Sequence, residues 1–189
     1  MFIEPKMDKG HIEVICGCMF SGKTEELLRR IRRSVIANQK YRLFKPFMDT
    51  RYHPNHVVSH DQNSIASIPV SRSSDILTHL TDEKVVGIDE AQFFDPELPD
   101  ICDRLSRSGI RVIVAGLDMD FRGKPFGPMP QLLAIAEYVT KVHAICMKCG
   151  DIASFTYKIN DSDEPIELGS QDLYQARCRS CFKEGMKIV

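Results

Sequence analysis

Apolar and polar positions follow two rhythms along this chain. Short, nearly continuous apolar runs rich in Val and Ile fall at His11–Cys16, Tyr41–Phe44, Ile65–Val70, Val85–Ile88, Arg111–Leu117 and Val142–Ile145. Such runs suit strands buried on both faces of a parallel sheet. Between them, Gly22–Asn38, Ser74–Leu80, Pro96–Ser108 and Pro130–Tyr138 read as helices. Leu27, Leu28, Ile31 and Val35 line one face of the first. Leu98, Ile101, Cys102 and Leu105 line one face of the third, and Gly109 supplies its stop. Alternation of this kind predicts right-handed βαβ units and an α/β fold. After Ile145 the pattern changes to a polar stretch, Asn160–Pro165, flanked by two C-x-x-C pairs. The expected division is a domain over residues 1–145 and a small one over 146–189. Phe47–Ser64 and Asp118–Gly127 stand out as long loops, and long loops in compact domains are often functional.

Composition narrows the class. The 189 residues are 43% hydrophobic and 27% charged, as in an ordinary globular protein. Twenty-five Lys and Arg against 26 Asp and Glu leave a net charge of −1. That balance weighs against a mainly electrostatic nucleic-acid binder. The basic run Arg29–Arg33 has Glu25 and Glu26 four residues before Arg29 and Arg30, so it reads as a solvated, ion-paired helix face. The longest clean apolar run, Val112–Leu117, falls far short of the roughly 20 residues that span a bilayer. With no apolar leader at residues 1–8, neither a membrane nor an export signal is expected, and the expected location is the cytoplasm.

Residues Gly17, Cys18, Met19, Phe20, Ser21, Gly22, Lys23 and Thr24 fit G-x-x-x-x-G-K-[ST] between an expected strand and an expected helix. The glycines let the backbone curl so that its N–H groups face a phosphate, and the helix dipole adds to that field. Lys23 reaches the β- and γ-oxygens, and the Thr24 hydroxyl joins the Mg²⁺ shell. The run Val85–Ile88 ends in Asp89-Glu90. Asp89 is placed to hold Mg²⁺ opposite Thr24, which frees Glu90 to serve as general base. Cys146, Cys149, Cys178 and Cys181 form two C-x-x-C pairs that can close a tetrahedron around one structural Zn²⁺. Disulfides or free thiols are the alternatives. Cys16 and Cys102 read as small core hydrophobes. Cys18 lies near Lys23 and a helix N-terminus, both of which favour thiolate.

Met19–Thr24, Asp49-Thr50-Arg51-Tyr52, Ile88–Phe94, Gly116-Leu117-Asp118 with Phe121, Lys124–Gly127 and the two C-x-x-C pairs occur in that order. Together they closely resemble the type II (cellular-type) thymidine kinases over His11–Cys181, nearly the whole chain. The resemblance implies ATP-dependent 5′-phosphorylation of thymidine, and of deoxyuridine less well, in nucleoside salvage. It also implies a RecA-like P-loop core with a mostly parallel sheet, a zinc-binding lasso domain, a homotetramer and feedback inhibition by thymidine triphosphate. By motif position Glu90 is the base on the 5′-hydroxyl, and Asp49 and Arg51 act near that hydroxyl and the transferred phosphate. Met19, Gln92, Phe93, Leu117, Phe121, Phe126, Thr156 and Tyr174 surround the nucleoside. The lasso segment Ile166–Tyr174 is expected to close over the nucleoside, with Ile166, Glu167, Leu168, Gly169 and Ser170 reading the pyrimidine largely through main-chain groups. Cys18 departs from the family pattern, where Pro or Ser is usual.

Two other classes fit parts of the sequence. One is a P-loop ATPase that touches nucleic acid through a Cys₄ module. The near-neutral charge and the lack of a basic-aromatic surface pattern weigh against it. The other is a non-catalytic nucleotide-binding module, which makes little use of an intact Lys23, Thr24, Asp89 and Glu90.

Overall fold

A computed structural model describes residues 9–48, 56–58, 64–159 and 173–186. Its centre is a six-stranded sheet of β1 (His11–Cys16), β2 (Tyr41–Pro46), β5 (Ile68–Val70), β6 (Val85–Ile88), β7 (Arg111–Gly116) and β8 (Tyr138–Lys141), in the order β5-β2-β6-β7-β1-β8. Every pairing in it is parallel. A two-stranded pair, β3 (His56–Val58) with β4 (Ser64–Ala66), precedes β5.

Helices cover both faces, which is why the strand sequences read as continuous apolar runs. On one face Leu27, Leu28 and Ile31 of α1 (Lys23–Ile36) pack on Ile15, Leu43, Val85, Ile113 and Ala115. On the other, Leu98, Cys102 and Leu105 of α3 (Leu98–Arg107) and Met129 and Leu132 of α4 (Met129–Ile135) pack on Val14, Val86, Ile88, Val112 and Val114. A short α2 (Asp75–Thr78) follows β5. No helix among the described residues is long and apolar enough to cross a membrane.

A smaller layer follows β8: the pair β9 (Ala144–Ile145) and β10 (Ile152–Ala153), the pair β11 (Phe155–Lys158) and β12 (Tyr174–Arg177), and α5 (Arg179–Gly185).

Three sequence expectations shift. The run Ile65–Val70 divides between β4 and β5, with buried Ser67 between them. The fourth helix stops at Ile135 because Ala136 turns extended at ψ 135°. The sixth sheet strand is Tyr138–Lys141 and not Val142–Ile145, since Glu13–Cys16 pair with those four residues. This strand lies at the sheet edge and alternates half-buried with exposed positions, so it carries no continuous apolar run.

The basic run also departs from expectation. Glu26 pairs with Arg29 at 2.6 Å and with Arg30 at 2.8 Å. Arg30, however, is not a surface group: it is 3% exposed and reaches Glu13 on β1 at 2.7 Å. Arg111 (2.5 Å) and His11 (3.0 Å) bind the same buried carboxylate. Despite the cost of burial, those hydrogen bonds hold Glu13 down to about 2.

Candidate active site

The carboxyl ends of β1, β6 and β7 converge on the loop Gly17–Thr24, the end of a parallel sheet where ligands are bound. Gly17 leaves β1 at φ +148°, and a Cβ there would stand 2.2 Å from the Val142 carbonyl oxygen. No side chain fits. Gly22 takes φ +82° and opens α1, its carbonyl accepting the Glu26 N–H at 3.0 Å. The Lys23 ammonium donates to the Cys18 carbonyl at 2.7 Å, and the Ser21 hydroxyl donates to the same oxygen at 2.7 Å. Burial pulls the Lys23 ammonium down in pKa, against the carboxylates of Glu90, Asp89 and Asp118.

Asp89 follows the fully buried β6 and is itself buried. The Thr24 hydroxyl donates to its Oδ2 at 3.1 Å, so the end of the phosphate loop and the end of β6 meet. Glu90 is half-buried beside it and heads the 3₁₀ turn Ala91–Phe93. Gln92 fixes Glu90 from below: its Nε2 donates to Glu90 Oε2 at 2.5 Å, while its Oε1 accepts the Leu117 N–H at 2.9 Å. The buried amide thereby ties the acid to the end of β7. Glu90 (φ 53°) and Phe20 (φ 65°) are two of the three non-glycine residues with positive φ among those described. Such strain costs on the order of 1–3 kcal/mol and gathers at functional sites.

Around this centre, Phe93 and Phe126 meet edge to face at 5.6 Å. The Lys158 ammonium lies 5.1 Å from the Phe121 ring centroid. Leu117, Thr156 and Tyr174 are buried, Tyr174 opposite Lys158 in the β11–β12 ladder. The Met19 N–H donates to Thr156 Oγ1 at 3.0 Å. Asp49, Arg51, Ile166, Glu167, Leu168, Gly169 and Ser170 lie outside the described residues. One rim feature went unassigned in the sequence: Asp118 accepts from Lys141 at 2.6 Å, and its other carboxylate oxygen is buried with no hydrogen-bond partner. Its signal was an acid just past a buried apolar strand, the same cue that singled out Asp89.

The sulfurs of Cys146, Cys149, Cys178 and Cys181 all lie within 4.8 Å of one another. Cys149 and Cys178 are 3.7 Å apart, close to the roughly 3.8 Å edge of a tetrahedron with Zn–S bonds of about 2.3 Å. Despite burial, backbone N–H groups of Cys178, Lys148 and Cys149 hold Cys146 down to about 6, whereas burial and the other three cysteines push Cys181 up to about 12. A first thiolate thus opposes the others, a repulsion that a dication relieves. The donor set fits zinc.

The neighbours that favour thiolate at Cys18 are outweighed by its burial. Cys18 is buried, its Sγ donates to the Ala153 carbonyl at 3.4 Å, and burial raises its pKa despite Lys23. Burial likewise pushes Cys16 up to about 11 and Cys102 up to about 12, as core hydrophobes should behave.

The thymidine kinase family profile matches residues 10–182. A thymidine kinase of Bacteroides thetaiotaomicron is 55% identical over 98% of this chain and 96% of its own length. One from Porphyromonas gingivalis is 54% identical over 93% of this chain and 86% of its own. One from Rhodothermus is 55% identical over 92% and 82% respectively.

Proposed function

The chain belongs to the thymidine kinase family and is a kinase, and from that premise we propose that it transfers the γ-phosphoryl group of ATP to the 5′-hydroxyl of thymidine in nucleoside salvage. The observation that carries this is the meeting of phosphate loop and acidic strand end, Thr24 Oγ1 on Asp89 Oδ2 at 3.1 Å, with Glu90 next in the chain.

Backbone N–H groups of residues 17–24 cradle the phosphates, and Lys23 exchanges the Cys18 carbonyl for phosphate oxygens. The Thr24 hydroxyl and Asp89 carboxylate are hard oxygen donors, the set that suits Mg²⁺. When bound, Mg²⁺ supplies charge neutralisation between β- and γ-phosphates. Glu90, oriented by Gln92, accepts the proton of the 5′-hydroxyl as that oxygen attacks phosphorus and the β–γ bridging oxygen leaves with ADP. Asp49 and Arg51 are assigned to the hydroxyl and the transferred group. Met19, Leu117 and Thr156 are assigned to the wall where the 5-methyl lies, with Phe93, Phe121, Phe126 and Tyr174 around the base and the segment Ile166–Tyr174 assigned to close over it.

A methyl in an apolar pocket contributes only about 1–3 kcal/mol, so deoxyuridine is a poorer substrate. Cytosine exchanges a donor for an acceptor and leaves pocket groups unpaired, so deoxycytidine falls far below. Thymidine triphosphate presents a base and a triphosphate to the two halves of one site, which suits feedback inhibition. The four cysteines are assigned to one structural Zn²⁺ in a lasso domain over residues 146–189, beside a kinase domain over 1–145, and a cytoplasmic setting keeps such thiols reduced. Ile36 on α1 and Val139 on the edge strand β8 are exposed apolar groups that a homotetramer would cover. The test is ADP formation with thymidine, with DNA, or with neither. Turnover that needs thymidine supports the proposal; turnover driven by DNA alone contradicts it.

A further inference from the structure

Two consecutive residues of the phosphate loop, Cys18 and Met19, rest on the cysteine-bearing layer, and Gly17 before them packs on the residue that follows β8. Gly17 lies against the Val142 carbonyl so closely that a Cβ would be 2.2 Å from its oxygen. The Cys18 Sγ donates to the Ala153 carbonyl at 3.4 Å. The Met19 N–H donates to Thr156 Oγ1 at 3.0 Å. Cys18 also shares one apolar cluster with Ala144, Ala153, Ala176, Cys146, Cys178 and Cys181.

The last two anchors are held by strands that run directly into the metal ligands. Ala153 pairs with Ala144, two residues before Cys146. Thr156 pairs with Ala176, two residues before Cys178. Both ladders are two-stranded, and such pairs are marginal in water without further support. They are braced by α5, whose Phe182 stacks on Phe155 at 4.6 Å, by the Met147 N–H on the Ala176 carbonyl at 2.9 Å, and by the cysteine cluster at their ends, where the Cys146 N–H donates to the Asp151 carbonyl at 2.7 Å.

We infer that metal bound by Cys146, Cys149, Cys178 and Cys181 shapes the phosphate loop through Ala153 and Thr156, so that metal and nucleotide binding are thermodynamically coupled. Thr156 is then a positioning residue for the triphosphate, acting through the Met19 amide, whatever else it contributes to the nucleoside pocket. The inference rests on the proposed nucleotide and zinc sites. With metal in place the two anchors are preformed and the loop is ordered before the phosphates arrive. With metal absent, nucleotide binding must also order the ladders. Coupling of this kind is reciprocal: if metal tightens nucleotide binding by some factor, nucleotide tightens metal binding by the same factor.

Two measurements on the intact zinc-loaded chain, both without thymidine, test this. The first is calorimetric ADP affinity in excess Mg²⁺ for wild type, Thr156→Val and Thr156→Ser. Losing the hydroxyl acceptor is expected to weaken ADP about tenfold, and serine, which restores it, to bind within about twofold of wild type. The second is zinc affinity by competition with a chromogenic chelator, with and without saturating ADP. ADP is expected to tighten zinc about tenfold in wild type and in Thr156→Ser, and clearly less in Thr156→Val. Unchanged zinc affinity in a wild type that binds ADP overturns the inference and leaves the proposed function standing. Equal ADP affinity in wild type and a folded Thr156→Val overturns it also. A wild type that binds no ADP, or no zinc, overturns the underlying site assignment and the inference with it.

Discussion

At the scale of single residues, position matters more than residue type. Glu90 is one of the 26 acids of the chain, yet among the described ones it alone combines a left-handed backbone with a clamp from the buried Gln92 amide. Replacing it with Gln keeps the shape and removes the base. The expected result is a fall in kcat of about 10²-fold or more with ADP affinity largely kept, checked by steady-state kinetics alongside calorimetry. Cys18 illustrates the converse. The sequence places it beside Lys23 and a helix N-terminus, which favours thiolate. What decides is burial against Ala153, which sequence neighbours do not reveal. Alkylation of the folded protein as purified, at neutral pH and followed by mass mapping, should leave Cys18, Cys16 and Cys102 unmodified. Early labelling of Cys18 would show that burial does not control it.

Among the elements, those buried on two faces were legible and those at edges were not. β1, β6 and most of β7 announced themselves as apolar runs because helices cover both sides. β8 did not, because its outer positions face away from the core, and a half-exposed edge strand looks like the tail of the preceding helix. The loop Gly17–Thr24 stood out for a different reason: its residue types fall at the fixed spacing that phosphate binding requires. What spacing could not show is that Gly17 leaves no room for a Cβ beside Val142. Gly17→Ala is expected to destabilise the fold by more than about 1 kcal/mol, through strain at positive φ and that clash. At this chain length that lowers Tm by at least about 2–4 °C, read by calorimetry, with ADP affinity reduced as well. Arg30 was legible only in part. Its helix periodicity was plain, but its true partner is Glu13 on β1, a contact made by the fold and not by neighbours in sequence.

The molecule as a whole gathers a buried ionic cluster, the proposed active site and a four-cysteine layer around one sheet. Glu13, held down to about 2 by His11 and Arg111 against its burial, should stabilise the fold above its ordinary value of 4.5 and lose that contribution as pH falls from there toward 2. His11, raised above 6.5 chiefly by its bond to Glu13, acts in the opposite sense: its contribution is complete below 6.5 and fades as pH rises through the raised value. Glu13→Gln is therefore expected to cost about 3–5 kcal/mol at neutral pH, because it takes the buried carboxylate from Arg111 and one of two carboxylate partners from the buried Arg30. The deficit should shrink below pH 4.5, a trend that denaturant unfolding at several pH values would reveal. The central claim is that these parts serve phosphoryl transfer to thymidine. The most direct measurement is coupled detection of ADP from purified protein with Mg²⁺-ATP and each of thymidine, deoxyuridine, deoxycytidine and deoxyadenosine. The account predicts ADP release that requires a nucleoside, fastest with thymidine, slower with deoxyuridine and near background with the other two. Turnover independent of nucleoside, or deoxycytidine used as well as thymidine, would contradict it.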